Sequence, residues 1–236
     1  MGEWAENTVI SHFSKHPETG IVAVPYGERW GGKKRAETDA VNRPDLLLIS
    51  TESVDSLAKA NIDVLKLPII DLPDSDPQLK RVVAKSIVAI DTKISFRYYA
   101  KKHVNFIIDE VRRKRYKTWL SQTETIGEIV VWFTLDKMWI APMDEVLRKG
   151  KTIVRTYEAF GKEARRKKTW NMPVEDAILL ADVAGVQLNQ TLRSSMSRGP
   201  TGAVAFSVDD DLGILENLNL DVLLDMAKQV RRPSGK

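Results

Sequence analysis

Three charged residues stand at the ends of two strongly apolar segments of the chain. Asp45 comes directly before the apolar residues 46–49, and Asp91 and Lys93 end the apolar segment 86–93. Residues two apart on a β-strand point to the same side, so Asp91 and Lys93 are predicted to share one face. A buried carboxylate is costly unless it is paired or binds a cation. The pattern therefore predicts a site at which two carboxylates and an ammonium group converge on a divalent ion.

The chemistry of such a site is that of phosphodiester hydrolysis. Carboxylate and carbonyl oxygens suit Mg²⁺, which neutralises charge developing on a phosphate and lowers the pKa of a bound water. We assign Asp45 and Asp91 as metal ligands, with the carbonyl of Thr92 as a further ligand. Lys93 is assigned as the residue that orients the attacking water or as its general base. Glu6 completes the predicted catalytic set, as a ligand of a second metal directly or through water.

A sheet is needed to bring these residues together, and the hydropathy pattern supplies one. Apolar runs predict strands at residues 21–24, 45–49, 86–93, 129–134, 137–141 and 203–208. Helical spacing predicts helices at residues 3–15, 54–66, about 96–120, 143–149, 174–184 and 218–230. The order of these elements indicates an α/β fold with a central mixed β-sheet flanked by helices.

The two motifs together resemble those of a known enzyme superfamily. Pro44-Asp45 followed by an apolar run, and then an apolar strand ending in the Asp-x-Lys of residues 91–93, resembles the PD-(D/E)xK nucleases. The helix that carries Glu6 is similar to the Glu-bearing helix of many members, including archaeal junction resolvases and several restriction enzymes.

The resemblance covers roughly residues 1–147 and requires an insertion at about residues 54–80. It implies a restriction-endonuclease-like core with Mg²⁺ at the edge of the sheet, and a homodimer where the target is duplex DNA. Residues 148–236 are then a C-terminal extension that serves DNA binding, dimerisation or both.

Basic residues are concentrated in two stretches, although the net charge of the whole chain is only +4. Residues 93–117 and residues 148–168 each contain nine Lys or Arg and two acidic residues, so the remainder of the chain is net negative. Such segregation indicates two basic faces for a polyanion, with a solvated helix surface as the alternative.

Candidate DNA contacts lie in the helix predicted after Lys93, in the glycine-containing loop 27–43 and in the loop 194–202. The long basic loop is predicted to close on DNA, with simple disorder as the alternative. The residues assigned to DNA binding are Lys33, Lys34, Arg35, Arg43, Arg97, Lys101, Lys102 and Arg198.

Composition excludes several other classes of function. Cysteine is absent, so thiolate metal sites, disulfides and Cys nucleophiles are excluded. The sequence has neither a Walker A motif nor a dinucleotide-binding glycine motif. It lacks the apolar core of a signal peptide and any apolar run near the roughly 20 residues of a membrane span, so we expect a cytoplasmic protein.

Three functions are compatible with these features. The first is a type II restriction endonuclease, a homodimer that cuts duplex DNA at a short specific sequence. The second is a structure-selective nuclease of the junction-resolvase or repair type, which would cut only branched substrates. The third is a non-catalytic DNA-binding module, which would bind DNA with the usual salt dependence and never cut it.

Overall fold

The computed structural model describes residues 2–27, 43–94, 105–123, 126–133, 137–157, 165–173, 176–182, 197–198, 204–205 and 220–230. The helices are α1 (Gly2–Lys15), α2 (Thr51–Lys59), α3 (Pro77–Lys85), α4 (Glu110–Gln122), α5 (Met143–Lys149) and α6 (Leu220–Val230). The strands are β1 (Ile21–Pro25), β2 (Leu46–Ser50), β3 (Val88–Ile94), β4 (Asn105–Asp109), β5 (Glu128–Phe133), β6 (Lys137–Pro142), β7 (Lys151–Tyr157), β8 (Arg165–Pro173), β9 (Ile178–Asp182), β10 (Ser197–Arg198) and β11 (Val204–Ala205).

Six of the described strands form one mixed sheet in the order β1-β2-β3-β5-β6-β9. The first three strands are antiparallel neighbours, and Leu47 of β2 lies between Val24 of β1 and Ala89 of β3. Strand β5 runs parallel to β3, with Val130 opposite Asp91, so the chain must cross over between them. Strands β6 and β9 extend the sheet in antiparallel fashion. The predicted α/β class, with a mixed sheet flanked by helices, is confirmed.

Helices cover both faces of this sheet, and the central strands are therefore buried on both sides. Leu46, Leu48 and Ile90 belong to one core, which α1 and α6 cover. Leu47 and Ala89, on the opposite face, belong to a second core that includes residues of α2, α3, α4 and α5. Double-sided burial explains why these strands are continuous apolar runs and not alternating patterns.

A second sheet, in the order β4-β8-β7, packs on the α4 side of the molecule. Ile108 of β4 and Met172 of β8 join the core that contains α4 and α5. Strand β9 pairs with β6 in the main sheet, and α6 packs against the other core. Residues from both sides of position 147 therefore contribute to both sheets.

Most predicted elements are confirmed to within a few residues, including β1, β2, β3, β5, β6, α5 and α6. Two helix predictions are wrong in part. Residues 105–109 of the predicted helix 96–120 form β4, because this apolar segment pairs with β8. Residues 178–182 of the predicted helix 174–184 form β9, because they pair with β6. In both segments the pairing partner overrides local helical spacing.

Two further expectations change with the structure. The helix predicted at residues 54–66 begins at Thr51 and ends at Lys59. The alternative of a solvated helix surface for the second basic stretch is wrong, because β7 and β8 occupy most of it. Among the described helices, none has the length and apolar character needed to cross a bilayer.

Gly150, between α5 and β7, provides a test of the packing between the second sheet and the helices. A Cβ at this position would lie 2.6 Å from Cδ1 of Trp170, whose Nε1 donates a hydrogen bond to the carbonyl of Val146 at 2.8 Å. We expect Gly150→Ala to lower the free energy of unfolding in urea by about 1–3 kcal/mol, the usual cost of overpacking. The cost should shrink when Trp170→Phe is present, and equal costs in both backgrounds would contradict the steric explanation.

Candidate functional site

Asp45 is held at the point where β2 begins beside the end of β3. Continuing the pairing of Leu46 with Ile90 by one residue places Asp45 opposite Asp91. Its Oδ2 accepts hydrogen bonds from the backbone N of Thr92 at 2.6 Å and from the hydroxyl of Thr92 at 2.8 Å. Backbone pairing between β2 and β3 ends at Leu46, and beyond it the side chain of Asp45 makes the hydrogen bonds to β3.

The backbone of Asp45 is fixed from its other side by the end of β1. The backbone N atoms of Tyr26 and Gly27 donate hydrogen bonds to the carbonyl of Asp45 at 2.8 and 3.1 Å. A Cβ at Gly27 would lie 2.8 Å from the carbonyl oxygen of Pro44, so this close approach of two chain segments requires glycine. Two neighbouring strands thus position the first predicted metal ligand.

Asp91 and Lys93 form an ion pair on the face of β3 that is turned toward α4. The Nζ atom of Lys93 lies 2.5 Å from Oδ2 of Asp91 and donates a hydrogen bond to the carbonyl of Thr92 at 3.1 Å. The side chain of Asp91 is 1 % exposed, whereas that of Lys93 is 21 % exposed. Asp91 is therefore sealed inside the protein while the ammonium group reaches toward its surface.

Tyr116 of α4 covers the Asp91 carboxylate from the helical side of the sheet, and its role was not predicted from the sequence. Its hydroxyl donates to both carboxylate oxygens of Asp91, each at 3.0 Å, and its ring centroid lies 5.9 Å from Nζ of Lys93. Burial raises the pKa of Tyr116 well above its ordinary value, and the charge of Asp91 adds to the effect, so the hydroxyl remains a donor. The available signal was the helical spacing of Tyr116 with Trp119 and Leu120, which gives this basic helix one buried face.

Glu128, the first residue of β5, is a second functional candidate that the sequence analysis missed. It pairs with Ala89 and so lies on the same face of the sheet as Asp91, two residues before Val130, which pairs with Asp91 in the parallel neighbour. The residue is 1 % exposed, and within the described part of the chain neither carboxyl oxygen has a hydrogen-bond partner. A signal was present in the sequence, because this acid directly precedes the most strongly apolar strand.

The charges of this group of side chains shift one another's proton affinities. Burial raises the pKa of Asp91 to about 6, with Lys93 opposing the shift and Asp45 adding to it. Burial also raises the pKa of Glu128 well above its ordinary value, and the nearby charge of Asp91 raises it further. Burial would lower the pKa of Lys93, but Asp91, Tyr116 and Asp45 together outweigh burial, and the pKa is raised. Lys93 is therefore an ammonium ion, which favours the water-orienting role over that of general base.

Asp45 and Asp91 have the character that a hard divalent cation requires. Two carboxylates meet at adjacent strand ends, and the charge of Asp45 raises the pKa of Asp91, a repulsion that a cation would relieve. Oδ1 of Asp45 accepts no hydrogen bond from the part of the chain that the structure describes. No group of three or more His, Cys, Asp or Glu side chains among the described residues is arranged for one ion, so the carbonyl of Thr92 and water would complete the ligand set.

Glu6 is not brought to this group of side chains. Its neighbour Ala5, with Val9, packs into the core on the opposite face of the sheet. Glu6 itself is partly buried. The prediction that Glu6 joins the catalytic and metal-binding set therefore has no support from the arrangement, because α1 covers the wrong face.

Arg43, assigned to DNA binding from the sequence, is placed inside the protein and not on an open surface. The residue is 7 % exposed, and its guanidinium lies 5.1 Å from the ring centroid of Tyr26. Its Nε lies 2.5 Å from Oδ1 of Asp74, and its Nη atoms donate to the carbonyls of Ile69 and Leu72 at 3.2 and 2.7 Å. Arg43 thus fastens the turn before α3 to the strand that positions Asp45.

The other predicted DNA contacts are not tested by the described geometry. Arg198 belongs to β10, which pairs with β11, and only its backbone is described. Six of the assigned residues lie outside the described part of the chain: Lys33, Lys34, Arg35, Arg97, Lys101 and Lys102.

Comparison of the chain with models of known protein families, with curated proteins and with solved structures found no match. Function must therefore be argued from the geometry of Asp45, Asp91, Lys93, Tyr116 and Glu128.

Replacing Glu128 with an apolar side chain of similar length should stabilise the protein. We expect Glu128→Met to raise the free energy of unfolding by about 1–3 kcal/mol, the typical cost of a buried polar group without a partner. The gain should grow as pH rises above 4.5, because the unfolded carboxyl then ionises while the raised pKa keeps the folded carboxyl protonated.

Urea unfolding at pH 5 and pH 8 measures this pH dependence. Glu52→Met on the exposed surface of α2 is the matched control and should show no comparable growth with pH. A loss of stability at both pH values in Glu128→Met would mean that the carboxyl has favourable partners.

Tyr116→Phe should weaken the hold on the carboxylate of Asp91. Loss of the hydroxyl donor removes a hydrogen bond that lowers the pKa of Asp91, so the pKa should rise above about 6. A hydrogen bond to a charged group is worth about 1.5–3 kcal/mol, which corresponds to a rise of about one or two in pKa. The ¹³C NMR titration of the Asp91 carboxyl measures it. Tyr26→Phe, which removes a hydroxyl bonded to Trp119, should leave the midpoint unchanged.

Proposed function

We propose that the protein is a Mg²⁺-dependent endodeoxyribonuclease of the PD-(D/E)xK type, which hydrolyses phosphodiester bonds in duplex DNA. The observation that carries the proposal is the buried ion pair between Asp91 and Lys93, with the carboxylate of Asp45 on the adjacent strand end. Between Asp45 of the Pro-Asp motif and Asp91 of the Asp-x-Lys motif lie 45 residues of sequence. Strand pairing brings the two motifs into contact. A mixed sheet between helices is the scaffold that the resemblance implies.

Each residue of the group has a role that follows from its position. Asp45 and Asp91 would hold Mg²⁺, with the carbonyl of Thr92 as a further ligand. When bound, the ion supplies charge neutralisation at the phosphate and a water of lowered pKa. The ammonium of Lys93 orients the attacking water and stabilises negative charge on the phosphate. Tyr116 keeps the carboxylate of Asp91 in one orientation through a hydrogen bond that its hydroxyl shares between both carboxylate oxygens.

The finer proposal is a type II restriction endonuclease that acts as a homodimer on a short specific sequence. The size of the chain supports it, since residues 148–236 supply two strands of the second sheet, the last strand of the main sheet and a helix. Incubation of bacteriophage DNA with the protein and Mg²⁺, followed by sequencing of the ends, tests it directly. Discrete fragments with a common end sequence support the proposal. Cutting of branched DNA alone would assign a structure-selective nuclease, and binding without cutting would assign a non-catalytic module.

Substitution of Lys93 separates catalysis from binding. We expect Lys93→Ala to lower the rate of Mg²⁺-dependent cleavage by about 10²–10⁴-fold, the usual contribution of a residue that positions or transfers a proton. DNA affinity should change by less than about tenfold, because a single cation contributes little to a many-phosphate contact. Cleavage rates and fluorescence anisotropy on one duplex measure both quantities. Lys85→Ala, at the exposed end of α3, is the matched control. Full cleavage by Lys93→Ala would refute the proposed mechanism.

A further inference from the structure

Strands β7 and β8 continue as a two-stranded ribbon beyond the third strand of their sheet. Strand β4 pairs with β8 only from Thr169 to Pro173. Within the described residues, positions 165–168 of β8 pair with positions 154–157 of β7 and with no third strand. We call these eight residues the β7–β8 ribbon. Four residue pairs at about 3.3 Å per residue give it a length of about 13 Å.

The ribbon has an unusual charge for a β-structure. Strands β7 and β8 together contain no acidic residue. Their basic residues are Lys151, Arg155, Arg165, Arg166, Lys167 and Lys168. Like charges on paired strands repel one another, so this concentration lowers the stability of the isolated ribbon. A polyanionic partner would relieve the repulsion.

One face of the ribbon can be defined by its register. Val154 pairs with Lys168, and Arg166 follows two residues away from Lys168 on the same face. All three side chains are exposed, and Val154 has 58 % of its surface open. The face therefore combines two cations with an apolar group. The cations suit phosphates, and the apolar group suits a base-pair edge.

The base of the ribbon is anchored to the helix that covers the candidate active site. Trp170 continues the same face of β8, and its Nε1 donates to the carbonyl of Val146 in α5 at 2.8 Å. The guanidinium of Arg113 in α4 lies 4.4 Å from the ring centroid of Trp170. Tyr116, one turn further along α4, contacts Asp91. The ribbon and the active site are thus on the same side of the main sheet and are joined through one helix.

We propose that the β7–β8 ribbon enters the major groove of duplex DNA, with Arg166 and Lys168 contacting the polyanion and Val154 facing the base edges. The major groove is about 12 Å wide and admits a two-stranded β-ribbon. The proposal takes its partner from the proposed nuclease function, but it concerns binding and not cleavage. None of the residues assigned to DNA binding from the sequence lies on this ribbon.

The test compares charge-removing variants of the full chain in EDTA, where no cleavage occurs. Fluorescence anisotropy with a 20-base-pair duplex is measured between 50 and 200 mM salt. We expect Arg166→Gln/Lys168→Gln to weaken binding at least tenfold at 100 mM salt. The slope of log Kd against log salt should fall by about two, one for each lost phosphate contact. Lys59→Gln/Lys85→Gln removes the same charge from exposed ends of α2 and α3 and should bind like the unaltered chain.

A second probe separates the groove from the phosphates. A duplex with glucosylated 5-hydroxymethylcytosine has a blocked major groove and unchanged phosphates, so the unaltered chain should bind it more weakly. Equal binding to both duplexes, or unchanged binding by the ribbon variant, would overturn the proposal even in a chain that cleaves DNA. A chain that needs the ribbon for binding but never cleaves with Mg²⁺ would refute the nuclease function and leave the ribbon proposal standing.

Discussion

The arrangement around the centre of the sheet depends on one buried carboxylate, that of Asp91. Its charge is isolated from water and is compensated by the ammonium of Lys93 and by a bifurcated hydrogen bond from the Tyr116 hydroxyl. Removal of one partner from a buried ion pair typically costs about 3–5 kcal/mol, because the remaining charge is left unpaired. The packing of α4 on the sheet is therefore coupled to the ionisation of Asp91 in β3. A change that moves α4 alters the pKa of Asp91, and a change in the charge of Asp91 alters the packing of α4.

Strand pairing brings further acidic residues to the face of the sheet that carries Asp91. Antiparallel pairing of β2 with β3 brings Asp45 next to Asp91, and parallel pairing of β3 with β5 brings Glu128 to the same face. The carboxylates of Asp45 and Glu128 lie where β2 and β5 begin, whereas Asp91 is buried within β3. Hydrogen bonds from Tyr26 and Thr92 hold Asp45 in place, and such prior positioning is what a catalytic metal ligand requires.

The sequence predicts the parts of the site that depend on short motifs, and it fails where a residue arrives through tertiary pairing. Asp91 and Lys93 could be predicted because the two-residue period of a strand fixes their shared face. Glu128 could not, because its place beside Asp91 depends on the register of a parallel strand reached by a crossover. Arg43 lies in a basic, glycine-containing segment and was therefore predicted to be exposed. Its burial depends on contacts with the turn before α3, which is distant in the sequence. Segments of five residues, such as β4 and β9, are too short for periodicity to decide between helix and strand.

Glu128 breaks the rule that buried polar groups are hydrogen-bonded, and no contact among the described residues compensates for it. Local rules of folding are broken most often at functional sites, where stability is given up for chemistry. Burial raises the pKa of Asp91 and that of Glu128, and repulsion from a neighbouring carboxylate adds to it: from Asp45 for Asp91, and from Asp91 for Glu128. Asp91 and Glu128 therefore bind protons more readily in the folded state than in the unfolded chain. Removal of an acid kept for structure would lower stability, whereas removal of Glu128 is expected to raise it, and this separates a functional acid from a structural one.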